Sequence, residues 1–246
     1  MKEANFSTNR RIGGPAGPRT PNPALHAFAL LRVNSVVGLN RAWIGLLAVS
    51  AFAADARLDA LLKTVETRYN RAKTLQVLFH EEYKPLGKPT RSESGTLLLR
   101  KPKRMRWDYS QPKGKLFLSD GKYLWIYSPD ENRAEKMKFQ ESEDMRAPLA
   151  FLLGKLNFDK EFRDFTSTPQ GPDTRIAAEP KSDNLPYSHV EFLVAPDGHI
   201  KQVQVTQFDK SILSWAFDQE KMDPPLDNNL FQFQLPKGAE LVEDGQ

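Results

Sequence analysis

Cysteine is absent from this chain of 246 residues. Its absence removes disulfide staples, thiolate nucleophiles and cysteine-ligated zinc together. It also removes lipid attachment at an N-terminal cysteine, so an exported product would carry no lipid anchor of its own. Long apolar runs are missing as well. The stretch Trp43 to Val49 falls short of the roughly 20 residues that a stop-transfer span needs. Histidine is scarce, and His80, His189 and His199 stand far apart with no H-x-x-x-H or H-x-x-E-H spacing. No metal site and no cofactor are expected. There is no G-x-S-x-G elbow, no P-loop and no G-x-G-x-x-G. Nothing singles out a catalytic pair among carboxylates such as Glu81, Glu82, Glu141, Glu143 and Asp144, so the chain is not expected to be an enzyme.

What the N-terminus does contain is the layout of an export signal. Arg41 gives a positive flank, Trp43 to Val49 an apolar core, and Ala51-Phe52-Ala53 an A-x-A cleavage site. Ahead of it, Met1 to Asn40 carries Pro15, Pro18, Pro21 and Pro23 and no periodicity, as in a disordered leader or an over-long start. Residues 1–53 are therefore read as a removed leader and 54–246 as one working domain. This division changes the electrostatic argument. The leader holds six of the 35 Lys/Arg and one of the 31 Asp/Glu, which leaves 29 bases against 30 acids. The formal net charge of +4 belongs to the leader, and nucleic acid loses its main support as a partner.

Beyond the leader, Asp55 is a candidate cap for a helix over Ala56 to Ala72, with Leu58, Leu61, Leu62, Val65 and Tyr69 on one stripe. Alternation then predicts strands at Leu75 to Tyr83, Glu93 to Arg100, Arg104 to Tyr109, Lys115 to Leu118, Tyr123 to Tyr127 and Arg133 to Phe139. Turn chemistry separates them: Pro85-Leu86-Gly87, Pro102, Pro112-Lys113-Gly114, Asp120-Gly121 and Pro129-Asp130. Ser142-Glu143-Asp144 opens a short helix ending at Gly154, with four consecutive apolar residues that must pack or open. Strands resume at Glu161 to Ser167, Asp173 to Ala178, His189 to Val194, Ile200 to Phe208, Ile212 to Phe217 and Leu230 to Gln234, with Ala195-Pro196-Asp197-Gly198 as a hairpin turn. A sheet of so many strands must curl, and helices can cover its open side. The fold class expected is mainly β with helices.

Met105, Trp107 and Tyr109 share one parity in their strand, while Arg104, Arg106 and Asp108 take the other. The apolar residues Val77, Phe79, Leu97, Leu99, Met105, Trp107, Leu116, Leu118 and Trp125 could line a cavity or fill a core, since both look alike in sequence. Arg100, Lys103, Arg104 and Arg106 belong to a dense basic run, either a solvated sheet face or a docking patch for an acidic partner. Nucleic-acid binding is the weaker option, because Trp107 and Tyr109 point away from that charged face.

The ordered set of these features resembles the periplasmic LolA lipoprotein carriers. The resemblance rests on the opening helix followed by Leu75, Val77 and Phe79, then Gly95 and Leu97, Lys101-Pro102, Arg106-Trp107, Gln111-Pro112 and Ser119-Asp120-Gly121 before Leu124-Trp125. It continues through Pro148-Leu149, Leu152-Leu153, Asp197-Gly198, and Phe231 and Phe233 before Pro236-Lys237-Gly238. It implies an unclosed antiparallel β-barrel covered by a helical lid, here Leu149, Phe151, Leu152 and Leu153. It further implies a periplasmic monomer that shields lipoprotein acyl chains between an inner-membrane ABC exporter and an outer-membrane receptor. That receptor is itself a lipoprotein, and this chain lacks the cysteine it would need. Family members place an arginine before the proline of the Lys101-Pro102 motif, bonded to the lid. Here Lys101 stands there as a candidate latch, in parity with Leu97 and Leu99, and without the planar fork of arginine. The alternative is that Lys101 is a solvated strand end. A carrier or sensor of another amphiphile on the same fold, such as a glycolipid, remains open.

Overall fold

In the computed structural model, residues 42–139, 155–183 and 185–243 are described. They begin with helix α1, Ala42–Arg71. The helix starts earlier than Asp55 allows, so Asp55 lies inside it and is not its cap. Between Leu46 and Ala60 there is neither proline nor glycine to break the helical hydrogen bonding, which explains the continuity. The predicted stripe faces inward: Leu62, Val65 and Tyr69 are buried, and Leu58 and Leu61 pack beside them. Among the described residues no helix is long and apolar enough to cross a membrane.

Six strands follow as a meander: β1 (Thr74–Lys84), β2 (Arg91–Arg100), β3 (Arg104–Gln111), β4 (Leu116–Asp120), β5 (Tyr123–Ser128) and β6 (Arg133–Lys138). A four-residue helix, α2 (Phe158–Glu161), then leads to β7 (Phe162–Gln170), β8 (Asp173–Pro180), β9 (Tyr187–Val194), β10 (Ile200–Gln207) and β11 (Ile212–Met222). A 3₁₀ turn at Asn228–Phe231 precedes β12 (Glu240–Glu243). Three of these departures from the sequence reading matter. Helix α2 and strand β12 have too few residues to show a period. The segment Leu230 to Gln234, expected as a strand, forms the end of the 3₁₀ turn and an extended passage with no ladder partner.

The strands form one twelve-stranded sheet in the order β12-β6-β5-β4-β3-β2-β1-β11-β10-β9-β8-β7. Every pair is antiparallel except β12 with β6, which is parallel. Strands β12 and β7 are the two edges, so the curved sheet stays unclosed, as the family resemblance implied. One face turns toward α1 and carries the main core: Leu75, Val77 and Phe79 of β1, Leu97 and Leu99 of β2, Met105 and Trp107 of β3, and Val190, Phe192, Val203, Val205 and Trp215 from the other half. Burying each such side chain is worth about 1.5–3 kcal/mol.

Polar groups on α1 tie it to β11, to β10 and to the segment that leads into β7. Glu220 on β11, nearly buried, receives Arg68 Nη2 at 2.7 Å and the Tyr69 hydroxyl at 2.6 Å. The same hydroxyl accepts from the Ile200 amide at 3.0 Å. Asn70 exchanges two bonds with the Leu156 backbone, at 2.7 and 2.8 Å, and Glu66 accepts from the Phe158 amide at 2.8 Å. Gly198, in the left-handed region at φ +82, closes the β9–β10 hairpin directly beneath α1; a Cβ there would meet Thr64 Cγ2 at 3.0 Å. Only glycine allows the helix to lie so close.

Candidate functional site

The α1-facing side of the sheet is filled along α1 and opens further along the strands. Cross-strand register decides which residues meet there: Phe79 pairs with Gly95, Leu97 with Trp107, Trp107 with Phe117, and Phe117 with Ile126. Gly95 makes the arrangement possible. A Cβ at that position would lie 2.0 Å from the Asp108 carbonyl oxygen and 2.9 Å from the Phe79 ring. With no side chain there, Phe79 lies edge-on to both Trp107, at 4.7 Å between centroids, and Tyr109, at 5.1 Å.

Beyond this aromatic group is a cavity of about 220 Å³, lined by Glu81, Trp107, Tyr109, Lys115, Phe117, Ile126, Leu213 and Trp215. Its walls are apolar apart from one polar end. Trp215 Nε1 donates to Glu81 Oε2 at 2.9 Å, and Lys115 is bonded to Glu93 while its ammonium lies 4.3 Å from the Tyr109 ring centre. Burial raises the pKa of Glu81 above the ordinary glutamate value; the Trp215 bond opposes the rise and Glu93 adds to it. Burial likewise raises Tyr109, with Glu81 and Glu93 reinforcing it.

The nine residues read from sequence as cavity or core divide into three groups. Trp107 lines the cavity. Val77, Phe79, Leu97, Leu99 and Met105 share its face and are packed in the core under α1. Leu116, Leu118 and Trp125 lie on the opposite face, because Leu118 pairs with Arg106 and with Trp125, and Leu116 with Asp108. The sequence reading joined residues that the register separates. Strand β4 is apolar at Leu116, Phe117 and Leu118, so alternation alone could not say which of them faces α1. Phe117 and its partner Ile126 were missed for this reason, and Leu213 and Trp215 because only the pairing of β11 with β1, more than a hundred residues away in sequence, brings them here, whereas Tyr109 was already in phase with Met105 and Trp107.

The opposite face is covered by the chain's own C-terminal segment. Arg100 donates to the Leu226 carbonyl, Arg104 to Asn228 Oδ1 at 2.8 Å, and Arg106 to the Leu230 carbonyl at 3.0 Å. Arg106 also forks onto Asp108, at 2.6 and 2.8 Å. Phe233 stacks on Trp125 with centroids 4.7 Å apart and planes 13° apart. The segment crosses β2, β3, β4 and β5 as a strap before β12 joins β6. Three residues expected to form a docking patch therefore bind this strap instead, and Lys103 sits in the β2–β3 turn with its ammonium 5.9 Å from the Phe139 ring centre.

Lys101 Nζ donates to the Tyr69 carbonyl at 2.6 Å, in the last turn of α1, where unpaired carbonyls favour a cation. Burial lowers its pKa from the usual lysine value, against the pull of Asp223. The expected lid residues Leu149, Phe151, Leu152 and Leu153 lie outside the described residues. The histidines stay apart: His80 is nearest to Glu82, His189 to Glu191 and His199 to Glu220.

Comparison with known proteins supplies the remaining observation. The family described as outer membrane lipoprotein carrier protein LolA matches residues 70–234. The outer-membrane lipoprotein carrier protein of Proteus mirabilis is 28% identical over 202 residues, covering 82% of this chain and 94% of that protein. That of Alkalilimnicola ehrlichii is 27% identical over 200 residues, covering 81% and 91%. The crystal structure of a LolA superfamily protein from Nitrosomonas europaea superposes with a TM-score of 0.43 at 9% identity, over 71% of this chain and 97% of that one. Since the family match runs from the end of α1 into the strap and spans well over half of the 246 residues, the chain belongs to the LolA outer membrane lipoprotein carrier family.

Proposed function

We propose that this protein is a periplasmic lipoprotein carrier that shields acyl chains from water and performs no chemistry on them. The supporting observation is the apolar cavity between Trp107, Phe117, Ile126, Leu213 and Trp215 on the α1-facing side of an unclosed sheet, in a member of this family. Each methylene withheld from water is worth about 0.8 kcal/mol, so a chain of about sixteen carbons represents roughly 13 kcal/mol of hydration cost. Free transit through water is closed to such a tail.

The cavity of about 220 Å³ is smaller than the roughly 300–1,000 Å³ of typical ligand pockets. Taking up a full tail therefore means widening it, and a sheet with two free edges has room to do so. The widening free energy is subtracted from the affinity, which keeps the carrier from becoming a trap. On this reading Leu149, Phe151, Leu152 and Leu153 act as the lid, residues 1–53 are an export leader, and 54–246 work as a monomer. Lipoproteins would arrive from an inner-membrane ABC exporter and leave to an outer-membrane receptor. Lys101, bonded to the end of α1, would latch the helical cover.

Mass spectrometry of organic extracts from protein purified out of the periplasm tests the cargo. Acylated polypeptide is the expected finding; free glycolipid in its place would transfer the fold to the other reading, and a clean protein under conditions of blocked release would count against a carrier. For the latch, Lys101→Leu is expected to take up cargo but pass it on poorly. Normal transfer to the receptor by that variant would remove the role assigned to Lys101.

A further inference from the structure

The polar end of the cavity has a chemistry of its own. Glu81 follows Val77 and Phe79 in the α1-facing row of β1, opposite Trp215 of β11 and Glu93 of β2. Lys115 also lines the cavity and pulls on Glu81, but it is bonded to Glu93, so Glu81, Glu93 and Lys115 together leave this end with one formal net negative charge, and Glu81 itself is held by the neutral Trp215 indole N–H and the Tyr109 hydroxyl. On the cavity wall, Trp107 is 2% exposed, and its Nε1 is buried without any hydrogen-bond partner. Buried donors are almost always satisfied, so an orphan N–H on the wall of a cavity points to an acceptor that arrives with the ligand.

Resting on the reading that this cavity takes acyl chains, we propose that it selects neutral acyl groups, esters or amides, over free fatty acids. Trp107 Nε1 donates to the acyl carbonyl oxygen, and Glu81 turns away an anionic head. The two residues divide the work by sign. An ester carbonyl satisfies the indole donor and brings no charge. A fatty acid carboxylate would also satisfy it, but two carboxylates in one apolar site cannot both stay ionised, so the newcomer enters only with a proton taken up at a cost. The arrangement rejects by repulsion as well as accepting by complementarity.

Three probes of equal chain length test this on the intact protein by displacement of a fluorescent acyl reporter: monopalmitoylglycerol, its ether analogue 1-O-hexadecylglycerol, and palmitate at neutral pH. The ester is expected to bind about five-fold or more tightly than the ether, which lacks the carbonyl, as one net hydrogen bond would give. Palmitate is expected to bind at least about ten-fold more weakly than the ester, as a one-unit shift in carboxyl protonation already implies. In Glu81→Gln the gap between ester and palmitate should close several-fold. Equal binding of all three probes by the unaltered protein would overturn the selectivity and leave the carrier reading standing. No binding of any probe would overturn both.

Discussion

Glu81 shows how a single residue in the wrong class for its surroundings gives a feature away. On β1 it occupies a position that alternation assigns to an apolar side chain, and it is held there by the Trp215 N–H. Below the ordinary glutamate value of 4.5 it is protonated in both the folded and the unfolded chain. As pH rises past that value the unfolded chain loses the proton while the folded one retains it, so the folded state binds more protons and stability falls. The fall ends once the raised folded pKa has been passed. Glu81→Gln removes this liability: urea midpoints of the variant and the parent should nearly coincide at pH 4 and separate in favour of the variant toward pH 7. Burial holds the neighbouring Tyr109 above its ordinary value, clear of that interval, so a constant difference across pH would show that Glu81 is not the group responsible. The sequence displayed Glu81 as one carboxylate among many. Its burial is set by Trp215, more than a hundred residues away, and no local pattern carries that information.

Among the elements, those defined by neighbours in sequence were legible and those defined by distant partners were not. Strands β1 to β11 follow from alternation and from turn residues such as Asp120-Gly121 and Asp197-Gly198, each of which acts within its own few positions. The strap is different. Leu230 to Gln234 alternates like a strand, but it crosses the sheet face instead of extending an edge, and its backbone partners are the guanidinium groups of Arg100 and Arg106. Those arginines looked like a docking surface because their partner lies more than a hundred residues downstream. The strap's apolar anchor is Phe231, 2% exposed against the outer face where Leu98 and Leu118 are also buried. Phe231→Ala should cost about 3–5 kcal/mol in urea unfolding, as large-to-small changes of buried phenylalanine do. Hydrogen exchange should show β12 and its partner β6 losing protection before β1 and β11. A cost below about 1 kcal/mol, or uniform loss across the sheet, would mean the strap is only draped over the face and does not brace it.

At the level of the molecule the sheet has one face for α1 and the cavity and another for the strap, and the division makes a prediction about where cargo goes. Trp107 and Trp215 line the cavity, while Trp125 is stacked under Phe233 on the far side. The sequence grouped Trp125 with the residues that could line a cavity or fill a core, because strand β5 alternates between Tyr123, Trp125 and Tyr127 on one side and Leu124 and Ile126 on the other, all of them oily. Pairing with β4 settles the matter: Phe117 meets Ile126, and Leu118 meets Trp125. Bromine on an acyl chain quenches indole fluorescence only at short range, so single-tryptophan variants report the face directly. With the other indoles replaced by phenylalanine, a brominated palmitoyl ester should quench the variant retaining Trp215 and the variant retaining Trp107, and leave the variant retaining Trp125 nearly unchanged. The packing of Phe79, Leu97 and Leu99 against α1 sharpens the outcome, since a tail that widens the cavity must advance along that same face and approach Trp107 as it goes. Quenching of Trp125 with Trp215 untouched would place the tail beneath the strap, and would reverse the roles assigned here to the two faces.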